Sequence, residues 1–255
     1  MFTRDTITVV TGATGHRSLS RCLASVQRQT YPNVRHWVVI DGPEHEGRVR
    51  SAIANLDDSP RPIDLMCMPQ PTGKDRWCGH RIYAAASYLV NSEFIAFLDE
   101  DNWLEPDHLQ SLLRAIRSTE SLWAFSLRNI VDQAGGFITR DECECLGSLH
   151  HVFFNKDHFH IDTNCYLLNR EIAVQFSSAW YRPTRPPDGQ LEADTYLCRL
   201  LLQHYPPGCS NCLHTINYAV GNRPDSVRAE FFLRGNQAMR QAYPAGLPWE
   251  RSEQV

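Results

Sequence analysis

The sequence predicts an α/β protein built on a mostly parallel central sheet. Short apolar strands are expected at 7–10, 37–40 and 94–98, and helical segments at 18–29 and 80–90 lie between them. Strands that alternate with helices form parallel sheets through right-handed crossovers. With 255 residues, 42% hydrophobic and 21% charged, the chain has the composition of a globular protein that can bury a sizeable core.

Each helix of the first half rests on a local pattern. The segment 18–29 carries apolar residues at helical spacing, and 80–90 is rich in alanine and large apolar side chains. A further helix is expected at 107–118, because Pro106 provides a favourable helix start.

The second half of the chain predicts a mixed arrangement. The segment 122–139 is strand-like and is broken by Gly135 and Gly136, which indicates a hairpin. The loop 181–189 is dense in proline and arginine, and a loop of this length is often functional. The tail 243–255 is predicted to be weakly ordered. The remaining elements are expected as a strand at 166–168 and helices at 170–176 and 192–205.

Charge and hydropathy argue against two classes of partner. The net charge is −4, from 25 basic and 29 acidic residues, so the chain lacks the basic excess that nucleic-acid backbones usually demand. No run of about 18 apolar residues provides a transmembrane helix, and the chain enters its first strand without the apolar stretch of a signal peptide. We therefore expect a cytoplasmic protein with no integral membrane segment.

The nine cysteines are scattered mostly through apolar segments, which indicates reduced core thiols rather than a disulfide framework. Two pairs stand apart, Cys143 with Cys145 and Cys209 with Cys212. Together they offer four thiolates, so a structural zinc site is a less favoured alternative to ordinary thiols.

An acidic triplet follows the predicted strand at 94–98. Asp99, Glu100 and Asp101 stand where this strand ends, and open α/β sheets bind ligands at the carboxyl ends of their strands. Hard divalent cations take one or two carboxylates together with substrate phosphates. The position predicts a site for a metal-bound diphosphate, while a solvated acidic loop remains the alternative from this motif alone.

The turn after the first strand favours a different function. Its sequence at 11–15 is TGATG, which opens like a dinucleotide-binding turn and points to an NAD(P)-dependent, short-chain-dehydrogenase-like oxidoreductase. Ser18 stands where the third glycine of that fingerprint would fall, and no tyrosine is followed four residues later by lysine. The dehydrogenase is therefore the second interpretation.

Four segments, in order across roughly the first 205 residues, resemble family 2 glycosyltransferases, the inverting enzymes of GT-A fold that transfer a sugar from a nucleoside diphosphate. An ordered set of this kind is more specific than any single motif. The segments are 18–33 with its Ser-x-x-x-Gln-Thr-Tyr signature, 37–43 with a strand-terminal aspartate, 94–106 with the acidic DXD motif, and 192–200 in a late helix.

The resemblance implies one GT-A domain over 1–255, a Rossmann-like fold with a small mixed sheet on the acceptor side. Residues 1–103 would bind the nucleotide sugar, 104–220 the acceptor, and 221–255 would form a C-terminal extension. The implied donor is a nucleoside diphosphate sugar, with UDP favoured by family habit. The implied donor-binding residues are Thr11, Gly12, Asp41, Arg81, Asp99, Glu100 and Asp101. Trp103, just past the acidic motif, is added as a donor-binding residue because aromatic faces pack on sugars, with a core anchor for the next helix as the alternative.

The resemblance also implies the chemistry. Mn²⁺ or Mg²⁺ would be held by Asp101, with Asp99 close by and His214 as a recruited ligand. Asp194 would be the base that takes the proton of the acceptor hydroxyl, with Glu192 as the second choice. The acceptor itself is not identified. From the residues themselves, acceptor-binding groups are expected at His160, Asp162 and Asn164, where an acceptor pocket is favoured over a metal site and ordinary surface histidines are the other alternative. A noncatalytic relative that binds a nucleotide sugar or a glycan is a third interpretation.

Overall fold

The structure is a computed structural model that describes residues 3–56, 60–187, 189–223 and 226–250. Within these residues nine strands occur: β1 (Thr3–Ala13), β2 (Val34–Ile40), β3 (Ile63–Cys67), β4 (Ser92–Phe97), β5 (Trp103–Leu104), β6 (Trp123–Val131), β7 (Phe137–Arg140), β8 (Tyr166–Asn169) and β9 (Cys209–Ala219). They form one sheet in the order β3-β2-β1-β4-β8-β6-β9-β5, and β7 pairs with β6.

The same residues contain seven α-helices: α1 (Leu19–Gln27), α2 (Glu46–Ala54), α3 (His80–Leu89), α4 (His108–Thr119), α5 (Arg170–Gln175), α6 (Ala193–His204) and α7 (Ala229–Ala242). None of the helices in the described part of the chain is both long enough and apolar enough to cross a lipid bilayer.

The first four strands of the sheet, β3, β2, β1 and β4, are all parallel. Their central strand β1 is buried on both faces, with Ile7, Val9 and Val10 fully inaccessible to solvent. This explains the apolar runs of the sequence, because strands covered on both sides need apolar residues at successive positions. The predicted α/β class with a mostly parallel central sheet is confirmed.

The mixed part of the sheet is continuous with the parallel part. Strand β8 runs antiparallel to both β4 and β6, and β6 is parallel to β9. The predicted hairpin is confirmed as the antiparallel pair of β6 and β7, and Gly135 in its turn has a φ of 97°. Strand β8 therefore joins the two halves of the chain in one sheet.

Five strands and helices were not predicted: α2, β3, β5, β9 and α7. Helix α2 buries a single residue, Val49, so its apolar periodicity is weak. Strand β3 lies at the edge of the sheet, and each of its residues is at least partly exposed. Strand β9 begins with a polar run from Ser210 to Asn211 and continues through His214 and Thr215, which masks the strand pattern.

The prediction of a weakly ordered tail is wrong for residues 243–250. Leu247 and Trp249 are buried in the main core, with 0% and 4% exposure. The segment is also tied to α7, since Arg240 Nη2 lies 2.8 Å from Glu250 Oε1. Residues 251–255 lie outside the described residues.

Candidate functional site

A cleft of about 720 Å³ opens at the carboxyl ends of the parallel strands. Loops that follow β1, β2 and β4 form one side of it, and residues around the start of α6 and the end of β9 form the other. This is where open α/β sheets bind ligands. Eight carboxylates line the cleft: Asp41, Glu44, Asp99, Glu100, Asp101, Asp162, Glu192 and Asp194.

Asp99 lies directly after β4 and is held by two side chains. Its Oδ1 accepts a hydrogen bond from the Tyr83 hydroxyl at 2.6 Å, and its Oδ2 accepts one from Asn164 Nδ2 at 3.0 Å. Burial, together with the negative charge of Asp101, raises the pKa of Asp99 to about 6. The carboxyl group is therefore fixed in orientation and sensitive to any neighbouring positive charge.

Asp101 faces the same cleft from the next turn of the chain. Its Oδ2 accepts a hydrogen bond from Asn222 Nδ2 at 3.0 Å. Burial raises the pKa of Asp101, and the charge of Glu100 raises it further. Two half-buried carboxylates that repel each other form a donor set suited to a hard divalent cation, because oxygen ligands are those that Mg²⁺ and Mn²⁺ prefer.

Glu100, between these two aspartates, binds the loop that follows β1. Its Oε1 accepts hydrogen bonds from the amide and the hydroxyl of Thr14, at 2.9 and 2.5 Å. Its Oε2 accepts the amides of Gly15 and His16, each at 2.9 Å. Neighbouring residues of the acidic triplet thus have different roles.

Asp41, at the end of β2, lines the cleft and anchors a second loop. Its Oδ1 accepts the amide and the hydroxyl of Thr72, at 2.6 and 2.7 Å, and its Oδ2 accepts the amide of Gly73 at 2.8 Å. The next residue, Lys74, is exposed and lines the cleft. Lys74 was not predicted as a site residue, although it is one of only two lysines in the chain.

The start of α6 places two further carboxylates in the cleft. Glu192 is the residue before the helix, with extended backbone, and Asp194 lies in the first turn. Asp194 Oδ1 accepts a hydrogen bond from the Thr195 amide at 2.7 Å, and Glu192 Oε1 accepts one from the Arg185 amide at 3.1 Å. A helix N-terminus interacts favourably with negative charge, so carboxylates are common at this position.

His160, Asp162 and Asp194 face one another beside the helix start. One potential ligand atom from each lies within 4.8 Å of the others. His160 Nδ1 is 2.8 Å from Thr195 Oγ1 and 3.9 Å from Asp194 Oδ1. The structure therefore brings a predicted acceptor residue next to the predicted base.

A buried arginine supports this side of the cleft and was not predicted. Arg128 Nη1 donates to Asp162 Oδ2 and Arg128 Nε to Asp141 Oδ2, both at 2.8 Å, and a third carboxylate, Glu144, also pairs with it. Burial lowers the pKa of Arg128, but the three carboxylates outweigh this effect and hold it well above its usual range. Because Arg128 lies in the middle of strand β6, its sequence position resembles an ordinary core position.

The side chains of two predicted donor residues, Thr11 and Arg81, do not line the cleft, and the structure corrects these predictions. Thr11 is fully buried, and its hydroxyl lies 2.9 Å from His36 Nε2 on the neighbouring strand. The Arg81 guanidinium stacks on Trp77, 3.8 Å from the ring centroid. Gly12, by contrast, does line the cleft.

The predictions for Trp103 and His214 are corrected in the same way. Trp103 pairs with β9 and is covered by the Arg21 guanidinium at 4.5 Å, so it lies outside the cleft. His214 also lies outside it. Burial and the positive charge of nearby Arg140 lower the pKa of His214 to about 4. The late histidine therefore does not join the acidic residues.

Asn164 is fully buried and cannot touch an acceptor directly. Its Nδ2 donates both to Asp99 and, at 2.7 Å, to Asp162 Oδ1. Its Oδ1 accepts the amide of Asp99 at 2.6 Å. Asn164 therefore connects the two sides of the cleft from below, which corrects its predicted role.

The zinc interpretation is not supported by the described residues. Among the described residues, the group of three or more metal-ligating side chains that converge is His160, Asp162 and Asp194, and no cysteine belongs to it. Cys145 is buried, with its sulfur 3.5 Å from that of Cys165, and Cys209 is hydrogen-bonded to a backbone carbonyl. All nine cysteines are free thiols, as expected from their apolar surroundings.

Comparison with known proteins gives one family. Residues 16–176 match the family described as Glycosyl transferase family 2. No curated protein matches the chain in sequence.

Solved structures of S. aureus TarS share the fold. TarS 1-349 in complex with UDP superposes with a TM-score of 0.60 at 10% identity, over 84% of this chain and 60% of that one. TarS 1-349 in complex with UDP-GlcNAc gives a TM-score of 0.59 at 12% identity, over 92% of this chain and 65% of that one. The chain therefore spans about 60% of the length of TarS 1-349, and at this identity the likeness shows the fold alone.

Proposed function

This chain belongs to glycosyl transferase family 2 and is a glycosyltransferase of GT-A fold, and from that premise we propose that it transfers a sugar, with inversion and with the help of a divalent metal, from a nucleoside diphosphate sugar to an acceptor hydroxyl. One observation carries the proposal. The cleft joins the acidic residues after β4 to the carboxylates at the start of α6, which lie far apart in the sequence.

The donor is proposed to lie across the ends of β1, β2 and β4. Asp41 and the loop after β1 form the nucleoside end, and Lys74 supplies a positive charge for the diphosphate. Lys74 replaces Arg81 in this role, because the Arg81 guanidinium is stacked on Trp77. A uridine nucleotide is favoured, since the structural relative TarS was solved with UDP and with UDP-GlcNAc.

Asp101, with Asp99 beside it, fits the divalent ion that a diphosphate leaving group requires. Both are half-buried carboxylates in one cleft, and their mutual repulsion favours a cation beside them. When bound, Mg²⁺ or Mn²⁺ would neutralise the negative charge that develops on the departing diphosphate. Asp101 is the stronger candidate for direct contact, because both oxygens of Asp99 already accept hydrogen bonds from Tyr83 and Asn164.

Asp194 is proposed as the catalytic base. Its carboxylate lines the cleft and is oriented by the Thr195 amide. A base in this position takes the proton from the acceptor hydroxyl as its oxygen attacks the sugar carbon and the bond to the diphosphate breaks. A single displacement of this kind inverts the anomeric centre and forms no covalent intermediate. Glu192 is the second candidate, because it lies at the same helix start.

The acceptor is proposed to meet Asp162, which lines the cleft. His160 lies beside the base but does not line the cleft. The groups are hydrogen-bonding and suited to hydroxyls, and the acceptor's identity is left open. The cleft takes residues from 12 to 102 on one side and from 162 to 227 on the other. The division into a donor half at 1–103, an acceptor half at 104–220 and an extension at 221–255 stays a prediction. Four residues of that extension also line the cleft: Asn222, Arg223, Ser226 and Val227.

Slow hydrolysis of a panel of nucleoside diphosphate sugars with Mn²⁺ tests the proposal without an acceptor. We expect turnover with a UDP-sugar, lost by about 10² to 10⁴-fold in Asp194→Asn with nucleotide affinity retained. Glu192→Gln is the matched control at the same helix start, and it should keep most of the activity. A large loss in Glu192→Gln but not in Asp194→Asn would assign the base to Glu192, and hydrolysis of no donor would contradict the transferase.

A further inference from the structure

The Glu100 carboxylate accepts four hydrogen bonds from the protein, which leaves little room for a metal ion. Both of its oxygens are occupied, Oε1 by the amide and hydroxyl of Thr14 and Oε2 by the amides of Gly15 and His16. We call residues 14–16 the donor loop. The carboxylate thus spans from the end of β4 to the loop that follows β1.

The donor loop has the backbone shape that binds an anion. Three consecutive amides converge on one carboxylate, and Gly15 has a left-handed φ of 77°. Such a concave run of N–H groups is a nest for negative charge. A Cβ at Gly15 would approach Arg48 Cβ to 2.7 Å, so the position requires glycine.

The loop is held from its other side as well. Arg48 Nη2 donates to the carbonyl of Thr14 at 3.0 Å. Between these two contacts, Thr14 and His16 are presented to the cleft next to Asp41. The side chains of the loop therefore reach the nucleoside end only in the conformation that Glu100 stabilises.

We propose that Glu100 is a positioning residue, which fixes the donor loop against the nucleoside part of the donor and is not a ligand of the divalent ion. The inference rests on the proposed function, because it assigns the loop to the nucleotide sugar. It separates the acidic triplet into two roles: Asp101 and Asp99 face the diphosphate, and Glu100 shapes the site for the nucleoside.

Glu100→Gln is the direct test, because a glutamine amide places N–H groups against N–H donors of the loop. In ligand-free protein we expect the amides of Thr14, Gly15 and His16 to exchange their hydrogens about tenfold faster or more than in wild type. Glu44→Gln removes another carboxylate that lines the cleft and serves as the charge-matched control, with no change in this exchange. If Glu100→Gln fails to fold, Glu100→Asp, whose side chain is one methylene shorter, takes its place.

A second measurement distinguishes an effect on the donor loop from an effect on the metal site. In titrations with UDP and Mn²⁺, we expect Glu100→Gln to weaken UDP binding about tenfold while the affinity for Mn²⁺ in the UDP complex stays within about twofold. Asp101→Asn should instead lose Mn²⁺.

Two results would overturn the proposal: unchanged exchange of the loop amides in Glu100→Gln, or loss of Mn²⁺ affinity equal to that of Asp101→Asn. If wild type binds no nucleoside diphosphate, the proposed function fails, and the ligand-free exchange experiment still decides whether Glu100 holds the loop.

Discussion

At the residue scale, the carboxylates of the cleft differ by their partners rather than by their place in the chain. Asp99 is held by Tyr83 and Asn164, whereas its neighbour Glu100 is held by backbone amides of the donor loop. Asn164 also donates to Asp162, so a single buried amide joins carboxylates on the two sides of the cleft. Positions of this kind act on substrates through the residues that they hold.

Arg128 provides the clearest stability prediction at this scale. Arg128→Met leaves Asp141, Glu144 and Asp162 without their shared counter-charge, and breaking a buried ion pair in this way costs about 3 to 5 kcal/mol. Urea denaturation at neutral pH measures the free energy of unfolding.

Arg240→Met is the matched control for this experiment. Arg240 pairs with Glu142 and Glu250, but its side chain is 46% exposed, so its loss should cost about 1 kcal/mol or less. Equal losses in the two variants would show that burial of the Arg128 cluster contributes nothing.

At the element scale, the sequence was most informative where apolar residues recur regularly. Helices α1 and α6 and strand β4 lie close to their predicted bounds, because each has a distinct buried side. Edge strand β3 and helix α2 were missed, since solvent covers much of their surface and a polar residue is tolerated at most positions. Strand β3 is positioned by its pairing with β2, and helix α2 by its contacts with α1. A local sequence pattern does not record such contacts.

The TGATG turn shows why a local motif pointed to two functions. Its glycine-dependent backbone does form an anion nest, as the dinucleotide interpretation requires. The nest is filled by Glu100, from a strand more than 80 residues later. A pyrophosphate would compete with this carboxylate, which argues against the dehydrogenase.

The C-terminal segment gives a prediction at this scale. Trp249 is 4% exposed and belongs to the main core, so Trp249→Ala should lower the free energy of unfolding by about 3 kcal/mol or more. Phe137→Ala is the control, because Phe137 is 64% exposed and its loss should cost about 0.5 kcal/mol or less. Chemical denaturation compares the two variants, and a cost for Trp249→Ala as small as that of the control would mean that the tail does not pack on the core.

At the scale of the whole molecule, the order of four segments was enough to predict the family, the fold and most of the acidic cleft. Parallel strands bring their carboxyl ends to one edge, so Asp41, Asp99 and Asp101 were predictable. Lys74 and Arg128 were not, because no local pattern distinguishes them from a loop lysine and a strand residue. Trp103 was assigned from its place after the acidic motif, and His214 by resemblance. Trp103 pairs with Asn217 of β9, His214 pairs with Leu127 of β6, and neither lines the cleft.

The whole fold should lose stability in mild acid through two buried histidines. Burial lowers the pKa of His36 and of His108 to about 3, and within the described residues one ring nitrogen of each has no hydrogen-bond partner. The two histidines therefore take up protons below about pH 6.5 in the unfolded chain but only near pH 3 in the folded chain. The free energy of unfolding falls as the pH falls through this window.

Each histidine should contribute up to about 1.4 kcal/mol per pH unit, and the two together about 3 kcal/mol between pH 6.5 and 5, because the unfolded histidine is only half protonated at pH 6.5. Denaturation curves at these two pH values measure the loss. The double variant His36→Gln, His108→Gln should lose correspondingly less than wild type over the same interval. An identical loss in both proteins would assign the acid sensitivity to other groups.

The most direct test of the central claim is the melting temperature of the protein with UDP or NADPH, each with and without Mn²⁺. A ligand that binds the native state raises the melting temperature, and we predict a rise with UDP that requires Mn²⁺ and disappears in Asp101→Asn. A rise with NADPH that is independent of Mn²⁺ and of Asp101 would contradict the account and make the turn at 11–15 the true ligand site.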